Sequence, residues 1–269
     1  MHIDAEIHFW KYENTILHPM VRDNKLLRQD YLPEHISLSF SRNSIDACIA
    51  VSSEPAEVET RFLAELAVTH PVIKGVVGWI DLFDSRAVEN IQEFHQYPSM
   101  RGYQTEAGRV QNLSTGIMNI LLEYQYVLEI SCKKDSEPAL LNNWLSAHPD
   151  QHFVLQHGGH PDTTKTPTTK WEADIRAMAK SENLHCKVCG FFTGGMAKSW
   201  KPADFYPFLD ILFDAFGIDR LMYASDWPFM LVSGMYVQWK SLLEKFTEKY
   251  LPEDRDRFFG DNARLLYRI

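Results

Sequence analysis

Residues 44–81 read SIDACIAVSSEPAEVETRFLAELAVTHPVIKGVVGWID, two apolar runs at 44–51 and 73–81 flanking a charged stretch. Both runs are apolar at consecutive positions, as strands covered on both faces must be. The stretch between them predicts a helix over 57–69, with Val58, Phe62 and Leu66 on one stripe. A strand, a helix and a second strand in this order make one β-α unit of a parallel sheet.

The unit recurs along the chain. Apolar runs at 2–9, 44–51, 73–81, 100–105, 126–132, 152–157, 183–189 and 221–226 each precede an amphipathic stretch, and 138–147 predicts another helix, with Leu141 and Leu145 inward. Eight units in 269 residues predict an α/β fold, a (β/α)8 TIM barrel, as a single domain over residues 1–269. An open doubly wound sheet would more often have fewer strands and a Gly-rich first turn, and no G-x-G-x-x-G is present. Pro71, Pro149 and Pro161 follow element ends, and Ser85, Thr168 and Asp204 stand near helix starts. The Thr-rich stretch 161–169 is short enough for one loop, and no linker divides the chain.

Composition narrows the partners. The chain is 45% hydrophobic and 23% charged, enough apolar material for a large core. Its 27 basic and 36 acidic residues give a net charge of −9, which recruits neither nucleic acid nor anionic membrane. No apolar run reaches the ~18 residues of a membrane span, and the start lacks a basic stretch followed by an apolar one. Cys48, Cys132, Cys186 and Cys189 mostly lie in apolar runs, as reduced thiols do, so a cytoplasmic setting is expected. Cys186-x-x-Cys189 lacks the second pair of a structural zinc site and falls in a strand.

In such a barrel the chemistry sits at the C-terminal strand ends. Glu6 and His8 end the first strand, His157 the sixth and Asp226 the eighth. Period-two alternation places Glu6 and His8 on one face, with Asp4 deeper on the same face. Imidazole with carboxylate suits zinc, manganese or iron(II) rather than calcium. A single such residue would more often be a structural hydrogen-bonding group. Four of them on three strand ends point to one shared cation.

Five segments carry a family resemblance: I-D-x-x-x-H-F-W-K-Y from Ile3, K-G-V-V-G-W-I-D-L from Lys74, H-C-K-x-x-G from His185, S-D-W-P from Ser225, and Asp261-Asn262-Ala263-Arg264. In this order they resemble the sugar-acid lactonases of the amidohydrolase superfamily, the metal-optional branch that opens L-fuconolactone and L-rhamnonolactone, with pyrone-dicarboxylate lactonases as more distant relatives. The resemblance implies hydrolysis of a cyclic ester to an aldonic acid, with Asp226 taking a proton from water. It makes His8 and His157 metal ligands or contacts to the lactone carbonyl. Glu6, His8, His157 and Asp226 are then the ligand set for one divalent ion, zinc or manganese, with no organic cofactor. A cation of this kind lowers the pKa of bound water, and a neighbouring carboxylate accepts the proton. Lys187 would supply positive charge where an oxyanion develops, or act as an interior lysine paired to a carboxylate.

The chain also departs from that family's pattern. Glu6 replaces the first histidine of H-x-H, Gln156 an aspartate, His160-Pro161 a Lys-Pro, and Gln104-Thr105 an Arg-His. Loss of that arginine removes a bidentate clamp for carboxylate or vicinal oxygens, unless Arg109 reaches in from the following loop. The expected contacts to a small-molecule substrate are Trp10, Gln104, Arg109, His160 and Trp227. Trp10 and Trp227 are the stacking candidates, Trp79 is assigned to the core, and His185 and Cys189 share the strand parity of Lys187.

Two other readings fit the same residues. Glu-x-His with a later His and Asp also resembles metal-dependent aromatic-acid decarboxylases, although the surrounding motifs belong with the lactonases. An inactive ligand-binding paralogue would fit the replacements at Glu6, Gln104 and Gln156, against the retention of His8, His157, Lys187 and Asp226.

Overall fold

The computed structural model describes residues 1–12, 18–132, 138–193 and 199–269. Eight parallel strands lie side by side in sequence order: β1 (Ile3–Ile7), β2 (Ala47–Val51), β3 (Ile73–Gly78), β4 (Met100–Glu106), β5 (Val127–Ser131), β6 (Phe153–Leu155), β7 (Leu184–Val188) and β8 (Leu221–Tyr223). Between β8 and β1 the ring closes through a bridge of Ile7 with Trp227. There the His8 N–H donates to the Trp227 carbonyl at 2.8 Å and the Asp226 N–H to that of Glu6 at 3.1 Å.

One principal helix follows each strand: Pro33–Arg42, Glu57–Thr69, Ala87–Phe94, Thr115–Glu123, Pro138–Ser146, Thr169–Met178, Pro202–Phe216 and Tyr236–Phe246. The expected (β/α)8 barrel is therefore found, with the strands shorter than the apolar runs that announced them. The helix over 57–69 has the expected bounds, and Phe62 and Leu66 of the expected stripe pack half-buried against the core, but the stripe's first residue does not. Val58 is 63% exposed, and the buried positions are Glu59, Thr60, Leu63 and Ala64. Glu59 turns inward because its carboxylate accepts the Ser53 N–H and hydroxyl and the Glu54 N–H.

Inside the strand ring, Ile3, Ala5, Ala47, Ile49, Val51, Val77, Val127, Val154, Met222 and Ala224 form one apolar cluster. Ala263, Leu266 and Tyr267 of the helix Asn262–Tyr267 join this cluster. The register of β1 against β2 slips between Asp4 and Ile7. Asp4 therefore does not share the face of Glu6, although regular alternation predicts that it would. It turns to the helical layer, accepting the Tyr236 hydroxyl at 2.8 Å, the Ser225 N–H at 2.9 Å and the Glu6 N–H at 3.2 Å. Burial pushes its carboxyl up to about 6, against the lowering effect of these bonds.

All four cysteines are free and buried. Among the described residues, no helix is long and apolar enough to cross a membrane.

Candidate active site

The C-terminal strand ends surround a cavity of about 690 Å³ lined by Glu6, His8, His157 and Asp226. Glu6 stands at the centre of this set. Its Oε1 lies 3.6 Å from His8 Nε2 and 3.3 Å from His157 Nε2, and His8 Nε2 lies 3.4 Å from Asp226 Oδ1. The slip in β1 gives Glu6 this position, and the β8–β1 seam fixes Asp226 through its backbone bond to Glu6.

The two histidines present different electrostatics. His8 Nδ1 lies 2.8 Å from the Val51 carbonyl, which can only accept, so that nitrogen carries hydrogen and Nε2 faces the site. Burial lowers the His8 pKa, but the Asp226 hydrogen bond and the charges of Glu6 and Asp226 outweigh it and raise the net value. His157 goes the other way. Burial, only partly opposed by the Asp226 charge, pushes it down to about 4, so at neutral pH it is an uncharged imidazole and its contact with Glu6 is no ion pair. Its Nδ1 lies 3.4 Å from Cys189 Sγ, and that thiol reaches Glu6 Oε2 at 3.5 Å.

Local backbone geometry explains two of the quoted motifs. His157, with φ 51° and ψ 37°, opens a left-handed run that continues through Gly158, Gly159 and His160. Gly190 closes H-C-K-x-x-G because a Cβ there would stand 2.5 Å from His157 Cβ. Asp226 is also left-handed, at φ 61°. In S-D-W-P the Ser225 hydroxyl accepts the Trp227 N–H at 3.1 Å, which stabilises that turn. The Thr193 hydroxyl lies 3.3 Å from Asp226 Oδ2 but has one hydrogen, and the Gly190 carbonyl competes for it at 2.8 Å. Asp226 therefore retains capacity to accept from a molecule in the cavity.

Below the cavity is a charged layer. Lys187 is fully buried, with Nζ 2.7 Å from Glu129 Oε2 and 3.4 Å from Glu6 Oε2. The Tyr267 hydroxyl donates to Glu129 Oε1 at 2.6 Å, and Gln156 Nε2 to Glu129 Oε2 at 3.1 Å. Gln156 also donates to Gln104 Oε1 at 3.1 Å, and Gln104 Nε2 to the Ser52 carbonyl at 2.6 Å. Burial lowers the Lys187 pKa, and the two carboxylates more than restore it. Lys187 does not line the cavity, so of its two expected roles the geometry matches the interior lysine paired to carboxylates.

The expected substrate contacts divide. Gln104, Arg109 and His160 line the cavity, with the Arg109 guanidinium 3.9 Å from the Phe83 ring centroid and 3.7 Å from Asp81. Trp10 and Trp227, the expected stacking contacts, do not line it and are core residues instead. Trp10 donates Nε1–H to the Gln29 carbonyl and packs on Tyr31 and Phe229, while Trp227 packs on Phe9 and Tyr31. The indole that does line the cavity is Trp79, assigned to the core from its apolar neighbours. Cys189 reaches the site, whereas His185 does not line it. Glu129, Tyr267, Thr193, His18 and Glu54 were not anticipated. Glu129 had a usable signal, being a lone acid inside the apolar run 126–132.

The donor set fits a divalent metal. Glu6 Oε1 is buried and lacks a hydrogen-bond partner among the described residues, and His8 Nε2 and Asp226 Oδ1 lie within ligand-sharing distance of it. An unmet carboxylate oxygen beside two imidazoles is a donor set for a borderline cation such as zinc.

Residues 3–269 match the family model described as Amidohydrolase. The chain belongs to the amidohydrolase family. Among curated amidohydrolase relatives, it is 27% identical to the L-fucono-1,5-lactonase of Burkholderia multivorans over 100% of this chain and 96% of that protein. A crystal structure of a Burkholderia multivorans amidohydrolase with bound zinc superposes with a TM-score of 0.89 at 27% identity, covering 100% and 99% of the two chains. The dihydroxybenzoic acid decarboxylase of a Polaromonas species, solved with manganese, shares the fold at a TM-score of 0.68 and 14% identity, over 99% and 96% of the chains.

Proposed function

We propose that this amidohydrolase is a lactonase, a hydrolase that opens a sugar-acid lactone of the L-fucono- or L-rhamnonolactone class to the aldonic acid. The observation that carries the reading is Asp226 at the cavity wall, with Oδ1 3.4 Å from His8 Nε2 and Oδ2 only partly engaged by Thr193. The full-length likeness to a protein named L-fucono-1,5-lactonase supports the substrate class.

In this mechanism Asp226 accepts a proton from water as the water oxygen bonds to the lactone carbonyl carbon. The tetrahedral intermediate then collapses with cleavage of the ring C–O bond, and Asp226 returns the proton to the departing ring oxygen. The products are the open-chain hydroxyl and a carboxylic acid, which ionises and releases the proton an assay detects. Glu6, His8 and Asp226, whose ligand atoms lie within 4.8 Å of one another, would hold one divalent metal, with His157 reaching the same Glu6 oxygen from the other side. When bound, that ion would polarise the lactone carbonyl and acidify water. His8, with Nδ1 fixed on Val51, and neutral His157 orient their Nε2 atoms toward Glu6. Gln104, Arg109, His160 and Trp79 are the contacts available to the ring and its hydroxyls.

Proton release against a panel of aldonolactones tests the proposal. The wild type is expected to turn over at least one, and Asp226→Asn to lose ~10²–10⁴-fold in kcat, the usual contribution of a general base. Equal rates in the two proteins would defeat the mechanism. The quartet Glu6, His8, His157 and Asp226 also favours a second reading, metal-dependent decarboxylation of an aromatic acid. Carbon dioxide release from hydroxybenzoates, without lactone turnover, would select it.

A further inference from the structure

The loop after β2 places Glu54 on the cavity wall. Glu54 is only 7% exposed, and its buried Oε1 has no hydrogen-bond partner among the described residues. The loop's own donors are already committed: the Ser53 N–H, the Ser53 hydroxyl and the Glu54 N–H all go to Glu59. Native folds leave few buried polar atoms unmet, so such a group calls for a partner from outside the fold. Burial, and then the neighbouring Glu59 carboxyl, push Glu54 up to about 7.

The rest of the wall bears on what that partner is. Apart from Glu6 and Asp226, which would hold the metal, the described residues line the cavity with the carboxyls of Glu54, Asp81 and Glu106 and a single guanidinium, Arg109, which already lies 3.7 Å from Asp81. An occupant offering a hydroxyl to Glu54 removes its deficit, whereas one bringing a carboxylate adds like charge in a confined space.

We propose that Glu54 is a substrate-binding residue that accepts a hydrogen bond from a ring hydroxyl and makes the cavity select neutral polyhydroxylated lactones over lactones bearing a carboxylate. The ring chemistry rests on the lactonase reading above, while the discrimination by charge is read from binding alone.

The test uses the Asp226→Asn protein, so that ligands persist, and two rings of one size: L-galactono-1,4-lactone, which is neutral, and D-glucaro-1,4-lactone, which carries a carboxylate. Calorimetry is expected to give at least a tenfold preference for the neutral ring. Adding Glu54→Gln should narrow the preference about tenfold by improving affinity for the anionic ring. Glu54→Ala in the active protein should raise KM for a neutral lactone about tenfold, the loss falling on KM rather than kcat. Circular dichroism checks that both variants fold. An unchanged preference in Glu54→Gln overturns the proposal even if lactones are hydrolysed. A preference that narrows as expected in a protein that hydrolyses no lactone upholds Glu54 and defeats the lactonase reading. No binding of the neutral ring overturns both.

Discussion

Glu6 Oε1 lies 3.3 Å from His157 Nε2, joining β1 to β6 across the barrel mouth. A carboxylate oxygen shared between two imidazoles and lacking a hydrogen bond among the described residues is better explained by a cation than by the fold's own stability. Glu6→Gln keeps the shape and removes the charge. Its affinity for zinc, measured by competition with a chromophoric chelator, should fall by more than the ~10–100-fold that follows loss of an outer-shell partner. Unchanged affinity would remove Glu6 from the ligand set.

Lys187 makes a prediction about stability. With Nζ 2.7 Å from Glu129 and both groups fully buried, truncation to Met leaves an uncompensated charge. Lys187→Met should cost ~3–5 kcal/mol in urea unfolding, and Lys187→Met with Glu129→Gln should recover part of that loss. If the double variant is no more stable than the single, the pair is not the source of the cost.

The indoles separate binding from packing. Trp79→Ala should raise KM for a lactone while leaving the melting temperature within a few degrees of wild type. Trp227→Ala removes a buried side chain packed on Phe9 and Tyr31 and should cost ~3–5 kcal/mol of stability. Steady-state kinetics with thermal melts checks both, and the reverse pattern would exchange their roles.

Acid sensitivity follows from His185, which burial, and then repulsion from His152 and Arg220, pushes down to about 4. In the unfolded chain an imidazole binds its proton near pH ~6.5. The stability linked to this group is therefore complete above that value and declines as pH falls through about 4. Between pH ~7 and ~4.5 the linked loss is about 2–3 kcal/mol, and His185→Gln should lack it. Unfolding midpoints at the two pH values decide the matter; identical pH dependence in both proteins would show that His185 is not responsible.

The eight strands were legible because strands covered on both faces leave an unbroken apolar run, and the helices between them because they alternate with those runs. The quartet was legible for a related reason: a polar residue ending such a run has few places to go except the mouth. Alternation failed where the backbone is irregular, as at Asp4, whose side chain leaves the face of Glu6 when the register of β1 slips. The indoles were misplaced for other reasons: for Trp10 and Trp227, proximity in sequence to a ligand residue does not determine which side of a loop a side chain takes, and for Trp79, apolar neighbours do not keep a residue at a strand end away from the mouth. Glu54 carried no signal in the sequence, since nothing in its neighbours shows that Glu59 takes the Ser53 and Glu54 donors.

Tyr267 bears on the reaction from the opposite end of the barrel. Its hydroxyl holds Glu129, Glu129 holds Lys187, and Lys187 stands 3.4 Å from Glu6. Loss of that hydroxyl would thus loosen the charge balance of the chamber from below while every strand stayed in place, making the helix Asn262–Tyr267, whose inner residues plug the strand ring, a latch on the chemistry above it.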